Sequence, residues 1–264
     1  MKGLVDTHLH TAFSHDSCAL PEKVCDEAIK KALKGITFTD HCDAELQFFG
    51  AQEGIVNSVG KARELATCYE GKIEVFAGVE MGFSEESFDT AKRIIESLGP
   101  LDQVIYSVHC VKWKGKIDAF SRMDFSRWSE REIADYLSVY FDAVLSVVNK
   151  CDTDILPHLT CPLKYIEKQW KEVDLSRFDE VIEQILKVTL KRDIALELNA
   201  SSIVHKSVID KYLLMGGRKF TLGSDAHVPQ FVANDFDKWT RLLKEKGIDE
   251  VYYFSKRKPI AVKI

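Results

Sequence analysis

GLVDTHLH (residues 3–10) and, after a short loop, PEKVCDEAIKKALKGITFTDH (21–41) are the stretches on which the fold turns. The first carries an apolar run into two histidines. The second starts a helix at Pro21, keeps amphipathic spacing, closes it at Gly35 and runs into another apolar segment ending at His41. Strand, helix and strand in this order make a βαβ unit with a right-handed crossover and parallel strands. Residues two apart on a strand point to one face, so His8 and His10 converge at the end of the first strand.

The same unit repeats along the chain. Strands are expected at ITFTDH (36–41), IEVFAGVE (73–80), DQVIYSVH (102–109), DILPHL (154–159), IALELN (194–199) and FTLGSDAH (220–227). Helices are expected at EGIVNSVGKARELATCYEG (53–71), EESFDTAKRIIESLG (85–99), SEREIADYLSVYFDAVLSVVNK (129–150), SRFDEVIEQILKVTLKRD (176–193), VHKSVIDKYLLMGG (204–217) and VANDFDKWTRLLKEKG (232–247). The last residues, VYYFSKRKPIAVKI (251–264), read as a tail. Seven strands alternating with helices, and no glycine-rich phosphate loop after any of them, favour an α/β barrel of TIM type, with one strand missing or irregular, over an open doubly wound sheet. No linker, repeat or compositional break divides the chain, so residues 1–264 are read as a single domain.

Bulk properties narrow the function. With 36 Lys+Arg against 41 Asp+Glu the formal net charge is −5, which argues against a nucleic-acid or anionic-membrane partner held by bulk charge. The opening MKGLVDTHLH lacks a signal-peptide core, and no run has transmembrane length, so a cytoplasmic location is expected. The seven cysteines are odd in number and scattered without a C-x-x-C, as reduced thiols would be.

The strand ends carry the chemistry. They present His8 and His10, His41, Glu80, His109, His158, Asn199, and Asp225 with His227. Six of the eight histidines thus fall at the C-terminal rim, where barrel enzymes gather their catalytic groups. Imidazoles mixed with a few carboxylates suit Zn²⁺, Fe²⁺ or Mn²⁺ better than Ca²⁺ or Mg²⁺. This many ligands exceeds one tetrahedral ion, so two or three metals and a bridging carboxylate are implied. Several divalent ions bring more charge than these carboxylates and a bound hydroxide cancel, which favours an anionic substrate such as a phosphate ester.

Other residues have two readings each. His205, just past Asn199, either protonates the leaving group and contacts substrate or starts a helix. Asn199 binds substrate or a metal water, or caps the following turn, with the pocket favoured by its place at a strand end. Asp6 is read as orienting a ligand imidazole, or as core polarity. Cys42 and Cys110, each next to a proposed ligand, face the other way and pack behind the rim. The loops CVKWKGKIDAFSRMDFSRW (110–128) and TCPLKYIEKQWK (160–171) mix basic and aromatic residues and are placed to close over a phosphate and a flat ring, or are plain surface loops.

Taken in order, DTHLHTAFSHDS, TFTDH, GVEMG, YSVH, ILPHL, LELN and GSDAH resemble the motifs of the polymerase and histidinol phosphatase (PHP) family over residues 6–227. The resemblance implies a distorted (β/α)7 barrel and three divalent metal ions. It places His8, His10, Glu80 and Asp225 on the first, a bridging Glu80 with His109 and His158 on the second, and His41 and His227 on the third. The loop after strand one would complete the third site through Asp16, which falls on the motif's acidic position, with His15 as the neighbouring alternative. The implied activity is hydrolysis of a small phosphomonoester by a metal-bridging hydroxide, with Glu80 and Asp225 at the reacting centre. The stand-alone length and the SVH and SDAH contexts are most similar to the branch acting on histidinol phosphate. A family nuclease or phosphodiesterase, a phosphotyrosine phosphatase, and a C–N hydrolase of the amidohydrolase type are the competing readings.

Overall fold

The structure, a computed structural model, describes residues 1–43, 51–169, 172–202 and 204–264. Trp170 and Lys171, at the end of the second rim loop considered above, lie outside the described residues. The first half of the chain forms β1 (Val5–Leu9), α1 (Pro21–Lys30), β2 (Gly35–Phe38), β3 (His41–Cys42), α2 (Ala51–Cys68), β4 (Glu74–Gly82), α3 (Phe88–Ser97) and β5 (Gln103–Ser107). The second half forms β6 (Cys110–Trp113), β7 (Lys116–Ala119), α4 (Glu130–Lys150), β8 (Ile155–Leu156), α5 (Leu163–Gln169), α6 (Asp179–Lys191), β9 (Ala195–Asn199), α7 (Lys206–Leu214), β10 (Phe220–Gly223), α8 (Phe236–Glu245), β11 (Glu250–Ser255) and β12 (Lys258–Lys263).

Seven strands pair in parallel in the order β1-β2-β4-β5-β8-β9-β10, and the short β3 joins β4 beside β2. The sheet nearly closes on itself. At the seam Leu9 bridges Ala226, the Asp225 amide donates to the His8 carbonyl at 2.7 Å, and the His10 amide donates to the Ala226 carbonyl at 2.9 Å. This is the distorted (β/α)7 barrel. Strands β1, β2, β5, β9 and β10 are buried along their whole length, because the barrel interior covers one face and helices cover the other. Helix α4 begins with a reciprocal cap, in which Ser129 accepts from the Glu132 amide and Glu132 accepts from the Ser129 amide.

Three local readings change. Helix α1 stops at Lys30, not at Gly35; Ala32 makes the left-handed turn at φ 55°, and Gly35 opens β2. Glycine is needed there for another reason, since a Cβ would sit 2.9 Å from the Glu74 carbonyl oxygen. The first rim loop folds into the β6–β7 hairpin, and part of the second becomes α5. The tail is the antiparallel hairpin β11–β12, turning at Lys256 and Arg257 with φ 51° and 62°.

That last hairpin covers the end of the barrel where the strands begin. Phe254 packs against Ile105, Ile155 and Ala195. The Lys256 amide donates to Asp102 at 2.9 Å, the Arg257 guanidinium pairs with Asp154, and Lys34 donates to the Tyr253 hydroxyl at 2.6 Å.

Candidate metal centre

At the opposite end the strands deliver their polar residues to one point. Glu80, fully buried on β4, lies at its centre. Its Oε1 is 2.8 Å from His158 Nε2 and 3.1 Å from His109 Nε2. Its Oε2 is 2.9 Å from His41 Nδ1, 3.3 Å from His8 Nε2 and 3.5 Å from His10 Nε2. Asp225, in the left-handed region at φ 53°, brings Oδ1 to 3.1 Å from His10 Nε2 and 4.0 Å from His8 Nε2. Such backbone conformations in non-glycine residues gather at functional sites. Asp16 stands between His227 and the far side of His41, 3.2 Å from His227 Nε2 and 3.7 Å from His41 Nε2. His15 turns instead toward Asp43, at 4.0 Å.

The donor set fits divalent cations. Donors ~2.1 Å from one tetrahedral ion stand about 3.4 Å apart, the spacing that recurs through this cluster. His8 Nε2, His10 Nε2, His41 Nδ1 and Glu80 Oε2 are buried without a hydrogen-bond partner among the described residues. Buried polar atoms are rarely left so, and bound cations would satisfy them. Four groups bring their donor atoms within 4.8 Å of one another: His8 with His10 and Asp225; His8 with Glu80 and His158; His10 with His41 and His227; and His41 with Asp43 and His109.

The buried carboxylates and imidazoles also shift one another's protonation. Burial alone would raise the Glu80 carboxyl, but His8, His109 and His41 hold it well below the usual carboxylate range. Burial, with His41 and His227 adding to it, pushes His10 down to about 3, so this imidazole offers a lone pair at neutral pH. Burial opposes the ionised form of Asp225 too, yet His10 and His8 pull it far down.

A second layer of polar groups aims these ligands. Glu197 is 2.7 Å from His8 Nδ1 and also accepts from the His158 amide at 2.8 Å. Asp43 is 2.8 Å from His109 Nδ1, and Ser14 is 3.1 Å from His10 Nδ1 while donating to Asp40 at 2.7 Å. Occupying one ring nitrogen in this way leaves Nε2 of His8, His10 and His109 turned to the centre. Sequence reading missed Glu197 and Asp43, although both lie two residues from a residue it chose, Asn199 and His41 respectively. Gly223 belongs to the same device, because a Cβ there would meet Glu197 Oε1 at 2.1 Å and His8 Cβ at 2.7 Å.

All nine residues expected to hold metal therefore meet here: His8, His10, Asp16, His41, Glu80, His109, His158, Asp225 and His227. Two other candidates are placed differently. Asn199 does not line the cavity; its Oδ1 accepts from the Ser201 and Ser202 amides at 2.8 and 2.7 Å, and its Nδ2 faces Glu197 and Asp225. His205 caps α7, its Nδ1 2.8 Å from the Ser207 hydroxyl, and it lines an adjoining groove rather than the metal cavity. Asp6 is occupied by backbone: it accepts from the Ser224 and Ala233 amides at 2.9 and 2.8 Å, tying β1 to the segment after β10. Cys42 and Cys110 are buried outside the cavity lining, whereas Cys161 lines it.

The cavity over the cluster holds about 280 Å³. Both rim loops reach it, through Phe120 and Ser121 on one side and Lys164 and Tyr165 on the other. A parallel barrel whose strand ends converge imidazoles and carboxylates beneath an open cavity has the layout in which metal-dependent barrel enzymes gather their catalytic groups. The PHP domain family matches residues 6–201, and the chain belongs to that family. Asp225 and His227 lie beyond the matched stretch and are returned to the mouth by β10. A histidinol-phosphatase from Lactococcus lactis is 27% identical over 260 residues, covering 95% of this chain and 94% of that protein. A probable histidinol-phosphatase from Clostridium acetobutylicum is also 27% identical, over 257 residues, covering 94% and 96%. The crystal structure of the Lactococcus lactis histidinol phosphate phosphatase, complexed with zinc, L-histidinol and phosphate, superposes with a TM-score of 0.78 at 26% identity over 98% of this chain and 100% of that one.

Proposed function

We propose that this chain, residues 1–264 working as one domain, is a metal-dependent phosphomonoesterase that hydrolyses L-histidinol phosphate to L-histidinol and phosphate. The observation that carries this reading is the convergence of five imidazoles on the two oxygens of Glu80. The relatives' names, and the zinc, L-histidinol and phosphate bound in the similar structure, support the substrate.

Three divalent ions, zinc, iron or manganese, are assigned as follows. His8, His10, Glu80 and Asp225 would hold one; Glu80, His109 and His158 a second; His41, His227 and Asp16 a third. Bound there, such ions supply Lewis acidity toward phosphoryl oxygens and acidify water near neutral pH. The chain's own part is to hold that centre in shape and to keep it buried. Glu80 turns one oxygen to each side of the cluster, and Asp225 is held by its left-handed backbone and by Asn199. Glu197, Asp43 and Ser14 set the imidazole orientations. His205 is given no proton-transfer role at phosphorus, since its ring faces the neighbouring groove.

A cavity of this size fits a small ester, and no nucleic-acid partner is proposed. Among the described residues no helix is long and apolar enough to cross a membrane, and a cytoplasmic location is proposed. The test is metal analysis of the purified protein followed by a panel of phosphomonoesters. Histidinol phosphate should be preferred over aryl phosphates and oligonucleotides; turnover of the others but not of histidinol phosphate would refute the substrate.

A further inference from the structure

Asp40 precedes His41 in the TFTDH stretch and is fully buried. Four donors converge on its carboxylate. The Thr11 amide and the Ser14 hydroxyl reach Oδ1 at 2.6 and 2.7 Å, and the Thr11 and Ser58 hydroxyls reach Oδ2 at 2.8 and 2.5 Å. A carboxylate accepts and does not donate, so the direction of every one of these bonds is fixed. Burying such a group costs stability, and what it holds in return is a short piece of chain.

That piece is the loop after β1, which carries Asp16. The Ala12 amide closes it onto the Ala19 carbonyl at 2.8 Å. Thr11 and Ser14 tie one side of it to Asp40, and the Ser17 hydroxyl ties the other to the His227 carbonyl at 2.9 Å. Helix α2 receives the loop on Gly54 and Ser58, four residues apart on one face; a Cβ at position 54 would sit 2.9 Å from the Phe13 carbonyl oxygen. Asp16 itself is exposed at the cavity edge, so its aim comes from the loop that carries it.

Ser14 extends the hub to two imidazoles. Its one proton goes to Asp40, so its oxygen accepts from the His41 amide at 3.0 Å and from His10 Nδ1 at 3.1 Å. His10 then carries its proton on Nδ1 and turns a bare Nε2 to the cluster. On the other side of Glu80, His109 and His158 are held by Asp43 and Glu197 instead.

We propose that Asp40 is the positioning residue of the third ion. It sets Asp16 through the loop and His41 through its backbone, and steadies His10 through Ser14, without itself touching metal or substrate. This deepens the three-ion assignment and rests on it, but ion binding is measured without substrate.

The experiment is equilibrium dialysis of the full chain against buffered zinc, with bound zinc read by elemental analysis and kcat measured on the same samples. Wild type should take up three ions. Asp40→Ala should weaken one of them about 10- to 100-fold, leave the other two within about threefold, and lower kcat along with the lost ion. Asp40→Asn should recover most of the loss. Its Oδ1 still accepts from Ser14 and the Thr11 amide, while its side-chain amide donates to the Thr11 and Ser58 hydroxyls, which turn to accept. Ser58→Ala should weaken the same ion about threefold, and it decides the matter should Asp40→Ala fold poorly. If Asp40 serves the fold alone, the unfolding midpoint drops while zinc affinity stays. That result, or equal weakening of all ions, overturns the proposal. A wild type that binds only two ions overturns the three-ion assignment and this proposal together. Loss of one ion in the Asp40 variants, with no phosphomonoester cleaved by wild type, would overturn the proposed function and leave the role of Asp40 standing.

Discussion

The two ends of the barrel are both polar, and they use polarity in opposite ways. Where the strands begin, each of these charged groups has a partner in the protein: Arg257 pairs with Asp154, Lys34 donates to the Tyr253 hydroxyl, and the Asp102 carboxylate accepts from the backbone amides of Lys256 and Ala77. Phe254 seals the interior behind them. Where the strands end, Glu80 and its imidazoles are brought within contact of one another, with buried atoms left unpartnered among the described residues. The groups named at the first end pair within the protein, while those at the second have the geometry that a bound cation would complete. Polar burial at the first end serves stability; at the second it costs stability and prepares a site.

The largest test of this contrast is Glu80→Gln. Removing the central carboxylate should lower kcat on the order of 10³-fold or more and reduce bound metal, read by steady-state kinetics and elemental analysis. Retained metal and normal turnover would break the contrast at its centre. Next, stripping metal with a chelator should lower stability by about 4 kcal/mol where the ion stood at ~1,000 times its dissociation constant. Thermal melts with and without added zinc measure this, and an identical melt would mean that the open end needs no ion. Glu197→Gln should weaken metal binding about 10- to 100-fold while the fold persists, because only the aim of His8 is lost. Competition with a chelating dye reads that affinity.

At the closed end, Arg257→Ala should cost about 2 kcal/mol in urea unfolding and leave kcat and metal content alone. A change in kcat would show that the two ends are coupled. The smallest effect is expected at Ser129, which caps α4 outside the cavity. Ser129→Ala should cost about 1 kcal/mol in the same assay, with activity unchanged.

Much of this was legible in the chain. The period of apolar runs places the seven barrel strands, and their last polar residues are the ones that meet around Glu80. The hairpin β11–β12 was not legible, since its Lys256-Arg257 turn lacks the Asn-Gly or Asp-Gly signal that marks two left-handed residues. Nor was the start of α1's exit, where Ala32 rather than Gly35 takes the left-handed position. Glu197 and Asp43 were passed over because nothing along the chain distinguishes a carboxylate facing an imidazole from one facing water. His205 follows the helix-start side of its two readings: a histidine close to a strand end in sequence is turned aside by the cap it makes on α7.

The sequence by itself determined which residues are brought to the barrel mouth, because strand alternation and the position of each apolar run set that without reference to the rest. Only the tertiary structure decided which nitrogen of each imidazole faces inward, which carboxylate stands at the centre, and which candidates are held back as supports. Those choices depend on distances of a few ångströms between strands far apart in the chain, as where Gly223 on β10 leaves the space through which Glu197 on β9 reaches His8 on β1.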